Sequence, residues 1–358
     1  MPPQTLRIID ANCNRAAEGL RFLEDIARFL LNDVNLSRQI RAVRHDVVKN
    51  VTKLGAGLLS VRDSQADVGA GIEPVGQRQD LPSLVTANAK RVEEALRVIE
   101  ESAKLPDIGP LLRSKDFEQA RFDLYTLERE LLSKVLRQDK LSRLHGLYVI
   151  IDTQALAGKD KIDAADKAIR GGARVIQLRD KHHYKGEILV MAQKLKDLCR
   201  QRDTLFIVND YLDIALAADA DGLHIGQADL PLPVVRKELP IDRIIGCSTR
   251  TLAQARKAEA EGADYVAVGS MFPSPTKGDG IVVGLERLRQ IRKALSIPLV
   301  AIGGINEANI GKVIAAGVDS AAVISAVLSQ ENMEQATRRM VKAIEKETES
   351  HREPGSHC

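Results

Sequence analysis

The sequence predicts an α/β protein: a (β/α)8 TIM barrel at the C-terminus, preceded by an all-α helical domain with a twofold internal repeat. Three observations carry this. From about residue 144, short apolar runs alternate with amphipathic stretches, the pattern of right-handed βαβ units and a parallel sheet. There are eight such runs, which suits a closed barrel better than an open sheet. Before residue 140, one helical block occurs twice.

The totals bound what the chain can be. Its 358 residues exceed one small core and point to a barrel plus a further module. Hydrophobic content of 44% and charged content of 28% place it among ordinary globular proteins rather than disordered ones. A net charge of +3 is too small to imply a nucleic acid or an anionic membrane as partner. No run reaches the ~18 apolar residues of a membrane span, and "MPPQTLRIID" lacks the features of a signal peptide. Cys13, Cys199, Cys247 and Cys358 form no CxxC pair, which argues against structural zinc and suits a reducing cytoplasm. The expected divisions are 1–140, 141–345 and a polar tail, "KETESHREPGSHC" at 346–358, expected to be disordered.

In the first division, "DANCNRAAEGLRFLEDIARF" from residue 10 aligns with "TANAKRVEEALRVIEESAKL" from residue 86. Asn12/Asn88, Arg15/Arg91, Glu18/Glu94, Arg21/Arg97 and Glu24/Glu100 coincide, stepping by three round a helix, while Leu20, Leu23 and Ala27 form an apolar stripe. A second match, "RQIRAVRHD" from 38 with "EQARFDLYT" from 118, follows each copy. The reading is two related helical hairpins in a pseudo-twofold bundle, joined by a segment rich in Gly and Asp.

In the second division, the candidate strands are 144–152, 174–180, 205–210, 222–226, 244–249, 265–270, 298–304 and 320–325. Active sites of such barrels form at the C-terminal strand ends, so the chemistry is sought there. Strand two ends in "QLRDK", where alternation sends Gln177, Arg179 and Lys181 to one side. Strand three ends in Asn209-Asp210, strand four is followed by Asp229, and strand five ends in Cys247-Ser248-Thr249. Strand six leads into "MFPSPTKGDG" with Lys277, strand seven ends in Gly303-Gly304, and strand eight in Ile324-Ser325. Two carboxylates, Asp210 and Asp229, together with phosphate oxygens are a common way to hold Mg2+. Arg179, Lys181 and Lys277 would take the remaining charge of a diphosphate. The glycine turn after strand seven and the helix start after strand eight form a second, backbone-built phosphate cradle. Each feature alone has a bland reading: Asp210 or Ser248 as a helix cap, Asp229 as a turn residue, a lone cation as solvated surface. Polar residues at six successive strand ends favour a site. His224, between apolar neighbours, reads as a supporting histidine rather than a base.

At these residues the sequence resembles the thiamine-phosphate synthase family, over about 144–340, through "QLRDK", "VNDYLDIALAADADGLHIGQADLP", "GCSTRT", "PSPTKGD", "AIGGI" and "VISAV" in that order. The resemblance implies condensation of hydroxymethylpyrimidine diphosphate with hydroxyethylthiazole phosphate, releasing diphosphate and thiamine phosphate. It implies that Asp210 and Asp229 bind Mg2+, and that Gln177, Arg179, Lys181, Asn209, Ser248 and Lys277 hold the pyrimidine diphosphate. Ser274, Pro275, Thr276, Gly304, Ile324 and Ser325 would hold the thiazole phosphate. Arg179, Lys181, Ser248 and Lys277 are the implied catalytic set, and the chemistry implied is dissociative, with no protein nucleophile. Ser274 stands where the family usually has Thr, and Arg250 where His is frequent. Two other readings stay open: an aromatising isomerase of similar fold acting on the thiazole phosphate, and a phosphate-ligand sensor.

The first division resembles the helical extensions fused to this family, a group linked to phosphorylation of hydroxymethylpyrimidine phosphate, which would bring in ATP. Its best candidate site is "RDSQADVGAG", with Arg62 for phosphate, Asp63 or Asp67 for Mg2+, and Gly69 and Gly71 for close backbone approach. No GK[ST] follows, so it is not a Walker loop. The alternative is that Arg15, Arg21, Arg91 and Arg97 pair with glutamates along the repeat and the module only dimerises, giving a homo-oligomer.

Overall fold

The computed structural model describes residues 2–61, 80–273 and 282–352 and divides the chain into two compact units, Met1–Gln138 and Asp139–Cys358. The first unit is helical. It comprises α1 (Pro3–Asp25), which widens into a π-helical turn (Ile26–Leu30), α2 (Val34–Thr52), the single turn α3 (Gly57–Ser60), α4 (Leu81–Ser102) and α5 (Ser114–Arg143). Local chemistry sets the starts. Asp33 accepts a hydrogen bond from the Leu36 N–H, and Asp80 and Ser83 form a reciprocal capping box at α4. The expected apolar stripe forms the core: Leu20 and Leu23 of α1 and Ala27 of the π-helical turn are buried with Val92, Leu96 and Ile99 of α4. Because α5 runs unbroken through Arg143, the division falls inside a helix rather than in a linker.

The repeat holds at the level of side chains. Asn12 donates to the Ile8 carbonyl and Asn88 to the Leu84 carbonyl, both at 2.8 Å. Glu24 is fully buried and accepts from Arg41 (2.8 Å) and Arg44 (2.9 Å) of α2. Its counterpart Glu100 accepts from Arg121 of α5 at 3.1–3.2 Å. Burial raises the Glu24 pKa, but the two guanidiniums outweigh it and hold the carboxyl below its ordinary range.

The second unit is a closed barrel of eight parallel strands in chain order. The strands are β1 (Gly146–Asp152), β2 (Val175–Arg179), β3 (Leu205–Asn209), β4 (Gly222–Ile225), β5 (Ile244–Thr249), β6 (Tyr265–Val268), β7 (Leu299–Ile302) and β8 (Ser320–Val323). Around them lie α6 (Lys161–Arg170), α7 (Lys185–Gln201), α8 (Leu212–Ala217), α9 (Leu232–Glu238), α10 (Leu252–Ala260), α11 (Gly284–Ala294), α12 (Ile310–Ile314), α13 (Ser325–Leu328) and α14 (Met333–Arg352). Strand alternation makes two cores. Val149, Ile151, Ile176 and Leu178 face the helices, while Tyr148, Ile150, Val175, Ile207, Tyr265 and Val300 fill the interior. A Cβ on Gly246 would lie 2.0 Å from Tyr265 Cζ, so β5 gives up a side chain to admit that ring.

The C-terminus departs from expectation: 346–352 is not a disordered tail but the last turns of α14. Met333, Ala336, Met340 and Ile344 bury one face at helical spacing, and Thr348 donates to the Ile344 carbonyl. In "KETES" at 346–350, Lys346, Glu349 and Ser350 are exposed on the outer surface of that helix, and its Glu and Lys favour helix. Residues 353–358 lie outside the described residues.

Candidate active site at the barrel rim

The inner-facing positions of β2 are Val175, Gln177 and Arg179, so the strand runs from packed core to polar rim within five residues. Gln177 is buried and donates through Nε2 to the Tyr148 hydroxyl at 2.7 Å. A chain continues from there across the barrel: Tyr148 to the Tyr265 hydroxyl at 3.2 Å, Tyr265 to His224 Nδ1 at 3.1 Å, and His224 Nε2 to Ser248 Oγ at 2.8 Å. Burial pushes both phenols above the usual tyrosine range, so each link is a neutral hydroxyl. One proton arrangement that fits these contacts has Tyr148 donate to Tyr265, Tyr265 to His224 Nδ1, and His224 Nε2 to Ser248, which leaves the Ser248 hydroxyl to donate outward. Gln177 and Ser248, predicted from separate strand ends, are thus joined. Tyr148 and Tyr265 were not singled out from sequence. Their signal was present: each is an aromatic residue in a strand of a chain with only 3% aromatics.

Arg179 pairs with Asp152 of the neighbouring β1, its direct register partner. Lys181, just beyond β2, reaches Asp210 Oδ2 at 3.1 Å. Asp210 follows β3, adopts φ 64°, and donates its N–H to the His224 carbonyl at 2.8 Å, a left-handed turn that a non-glycine residue holds at a cost. It does not cap α8, whose N-cap is Tyr211 without a side-chain bond. Asp229 turns back after β4 to accept the Gly226 N–H at 2.6 Å and comes within hydrogen-bond reach of Asp210. Burial raises the Asp210 pKa, Lys181 opposes, and the Asp229 carboxylate adds to the rise, so the net shift is upward. Asn209, at the end of β3, is buried in register with His224.

On the far side, Gly303 (φ 100°) and Gly304 (φ 68°) turn the chain after β7. A Cβ on Gly304 would sit 2.7 Å from the Phe272 carbonyl oxygen and 2.8 Å from that of Pro273, so only glycine fits against the segment leaving β6. Asn309 fixes the turn by donating to the Gly304 carbonyl at 2.9 Å. Ile324 precedes α13, which is one turn long rather than an extended helix. Any anion held there would rely on backbone N–H groups at the start of that turn, since four residues sum to little macrodipole.

Ser274, Thr276 and Lys277 lie outside the described residues, as do Arg62, Asp63, Asp67, Gly69 and Gly71 of the helical unit. Of the repeat arginines, Arg21 pairs with Asp25 at 3.4 Å, and Arg97 with Glu100 and Glu101 at 2.6 and 2.7 Å, each on its own helix. Among the described residues no group of three or more His, Cys, Asp or Glu is placed to hold a metal, so the rim offers a carboxylate pair. None of their helices is long and apolar enough to cross a membrane.

Comparison with known proteins bears on this site. The Thiamine monophosphate synthase family matches residues 147–327, and the ThiD2 family matches residues 7–130. The thiamine-phosphate synthases of Synechocystis sp. and Thermosynechococcus vestitus are each 38% identical, covering 96% and 94% of this chain and 97% and 94% of their own. The structure of thiamine phosphate pyrophosphorylase from Pyrococcus furiosus is 42% identical, with a TM-score of 0.54, and the match covers 58% of this chain and 98% of that one. Matched along nearly its whole length by such relatives, the chain belongs to the thiamine-phosphate synthase family and is a transferase of thiamine biosynthesis.

Proposed function

We propose that the barrel joins 4-amino-2-methyl-5-hydroxymethylpyrimidine diphosphate to hydroxyethylthiazole phosphate by a dissociative, Mg2+-assisted route. The observation that carries this is the meeting of Asp210, Asp229 and Lys181 at the ends of β2, β3 and β4. The donor set fits magnesium: two hard carboxylates crowd each other, and the cation's other positions fall to water and phosphate oxygens. Magnesium bound there would neutralise part of the diphosphate charge as a Lewis acid. Arg179, Lys181 and Lys277 would stabilise the negative charge that grows as diphosphate departs. Gln177, Asn209 and Ser248 would orient the pyrimidine, and the Tyr148–Tyr265–His224 chain would keep the Ser248 hydroxyl aimed as a donor. The Gly303-Gly304 turn, Ser274, Thr276, Ile324 and Ser325 would grip the thiazole phosphate and hold its ring nitrogen toward the benzylic carbon. No group in this chain is required as nucleophile, because the aminopyrimidine itself supplies electrons to the carbon that loses diphosphate. The aromatising isomerase needs none of the carboxylate–cation set. The test is to supply Mg2+ and both phosphorylated heterocycles to wild type, Asp210→Ala and Lys277→Ala. Near-normal turnover by either variant would refute the site.

For the helical unit we propose phosphorylation of hydroxymethylpyrimidine phosphate by ATP, feeding the barrel its diphosphate substrate. The support is the ThiD2 match over 7–130. Against it stands the structural use of Glu24, Glu100 and their arginines, which leaves 62–71 to carry the chemistry. The test is ATP plus pyrimidine monophosphate with the Asp210→Ala chain: diphosphate product supports a kinase, and its absence leaves an interaction module.

A further inference from the structure

We propose that Asp152 is a positioning residue for the synthase reaction: its buried carboxylate sets the Arg179 guanidinium in the orientation that receives the departing diphosphate. This rests on the diphosphate reading of Arg179. Asp152 ends β1 on the inner face, next to Arg179 in register across the β1–β2 ladder, and is 5% exposed. Its two oxygens divide the work. Oδ2 accepts from Arg179 Nη1, and Oδ1 accepts the N–H groups of Gln154 and Ala155, both at 3.0 Å. The Thr153 N–H also reaches the Arg179 carbonyl at 3.1 Å. One carboxylate thereby ties the loop after β1 to the head group at the end of β2. A second tie, His182 Nε2 with Gln154 Oε1 at 3.3 Å, joins the same loop to the residue after Lys181.

The need for such a device follows from the two rim cations. Lys181 is about half exposed and rests on a carboxylate proposed as a metal ligand, so its contact must exchange during the reaction. Arg179 is one-third exposed and planar, and its long side chain has many rotamers of its own. Electrostatic help in a transition state is greatest when the donors need not reorganise. A carboxylate behind the guanidinium takes one N–H and leaves Nε and Nη2 with a fixed direction. Asp152 is not among the magnesium ligands, so it never has to release Arg179. Carboxylates that orient metal ligands typically change activity ~10–100-fold when removed, and the same scale is taken for one that orients a guanidinium at the rim.

The experiment is a double-mutant cycle on the full-length protein with Asp152→Asn, Arg179→Ala and the pair. The amide keeps an oxygen for the Gln154 and Ala155 N–H groups but presents N–H toward Arg179. The expected result is a ~10–100-fold loss of kcat in Asp152→Asn, with KM for the thiazole phosphate and the melting temperature little changed. The pair should be no slower than Arg179→Ala within about 3-fold, because the carboxylate acts through that arginine. Full additivity, a kcat near wild type, or unfolding of Asp152→Asn would overturn the proposal and leave Asp152 a loop anchor. Near-normal turnover of Arg179→Ala alone would instead overturn the diphosphate reading beneath it.

Discussion

Replacing Asp210 by Asn changes the charge of the rim without changing its shape. The Asp210 side chain is 13% exposed, with Lys181 at 3.1 Å and Asp229 within hydrogen-bond reach. With both carboxylates ionised, the trio carries one net negative charge, and the amide removes it. A unit charge pair at 4 Å is worth about 4 kcal/mol at an effective dielectric of 20, and about twice that for a dication. If solvation cancels two-thirds, the loss is still about 2.7 kcal/mol, or roughly 100-fold. Turnover at millimolar Mg2+ should therefore fall at least 100-fold. Stability should move the other way. Burial and Asp229 raise the Asp210 pKa in the fold, so the folded chain holds that proton more tightly than the unfolded chain. The cost is absent below the unfolded pKa and complete above the folded one. Asp210→Asn should accordingly raise the metal-free melting temperature at pH 8 by a few degrees and gain nothing near pH 3. Turnover against Mg2+ and calorimetry at the two pH values read both effects. Wild-type turnover, or a lower melting temperature at pH 8, would refute the reasoning.

Three further outcomes follow from the same geometry. Gly304→Ala places a Cβ 2.7 Å from a carbonyl oxygen at φ 68°, so KM for the thiazole phosphate should rise at least tenfold in steady-state assays, with pyrimidine binding less affected. Tyr265→Phe keeps the ring but removes the hydroxyl between Tyr148 and His224 at a cost of about 1–2 kcal/mol. Turnover should drop about tenfold, and an unchanged kcat would detach the chain from catalysis. Glu24→Gln removes the buried carboxylate from two guanidiniums that water still reaches, and should lower helical-unit stability by about 1–2 kcal/mol at neutral pH, measured by circular dichroism. Since the Glu24 pKa is depressed in the fold, this contribution is present above the unfolded carboxylate pKa and lost as pH falls through the folded one.

The barrel was legible because its signals are periodic. Eight apolar runs alternate with amphipathic helices, and alternation along β2 places Gln177 and Arg179 on the inner face. Asp210 and Asp229 were legible as a pair because both strand ends open on the same rim. What escaped was long-range contact. Nothing near Tyr148 in the sequence indicates Tyr265, 117 residues away, or that His224 would pass a hydrogen bond to Ser248. Asp152 was not singled out from sequence, because only the β1–β2 register brings it beside Arg179. In the helical half, periodicity revealed the repeat but could not separate catalysis from support, since arginines spaced by three serve equally well as partners for buried glutamates. The C-terminal helix was misread because its outer turns expose nothing apolar to mark them.

The most direct test is anomalous diffraction from crystals grown with Mn2+ and diphosphate. The account predicts one metal peak about 2.0–2.3 Å from carboxylate oxygens of both Asp210 and Asp229, with diphosphate bridging it to Arg179. A metal bound by neither carboxylate, or a diphosphate seated away from Arg179, would contradict it.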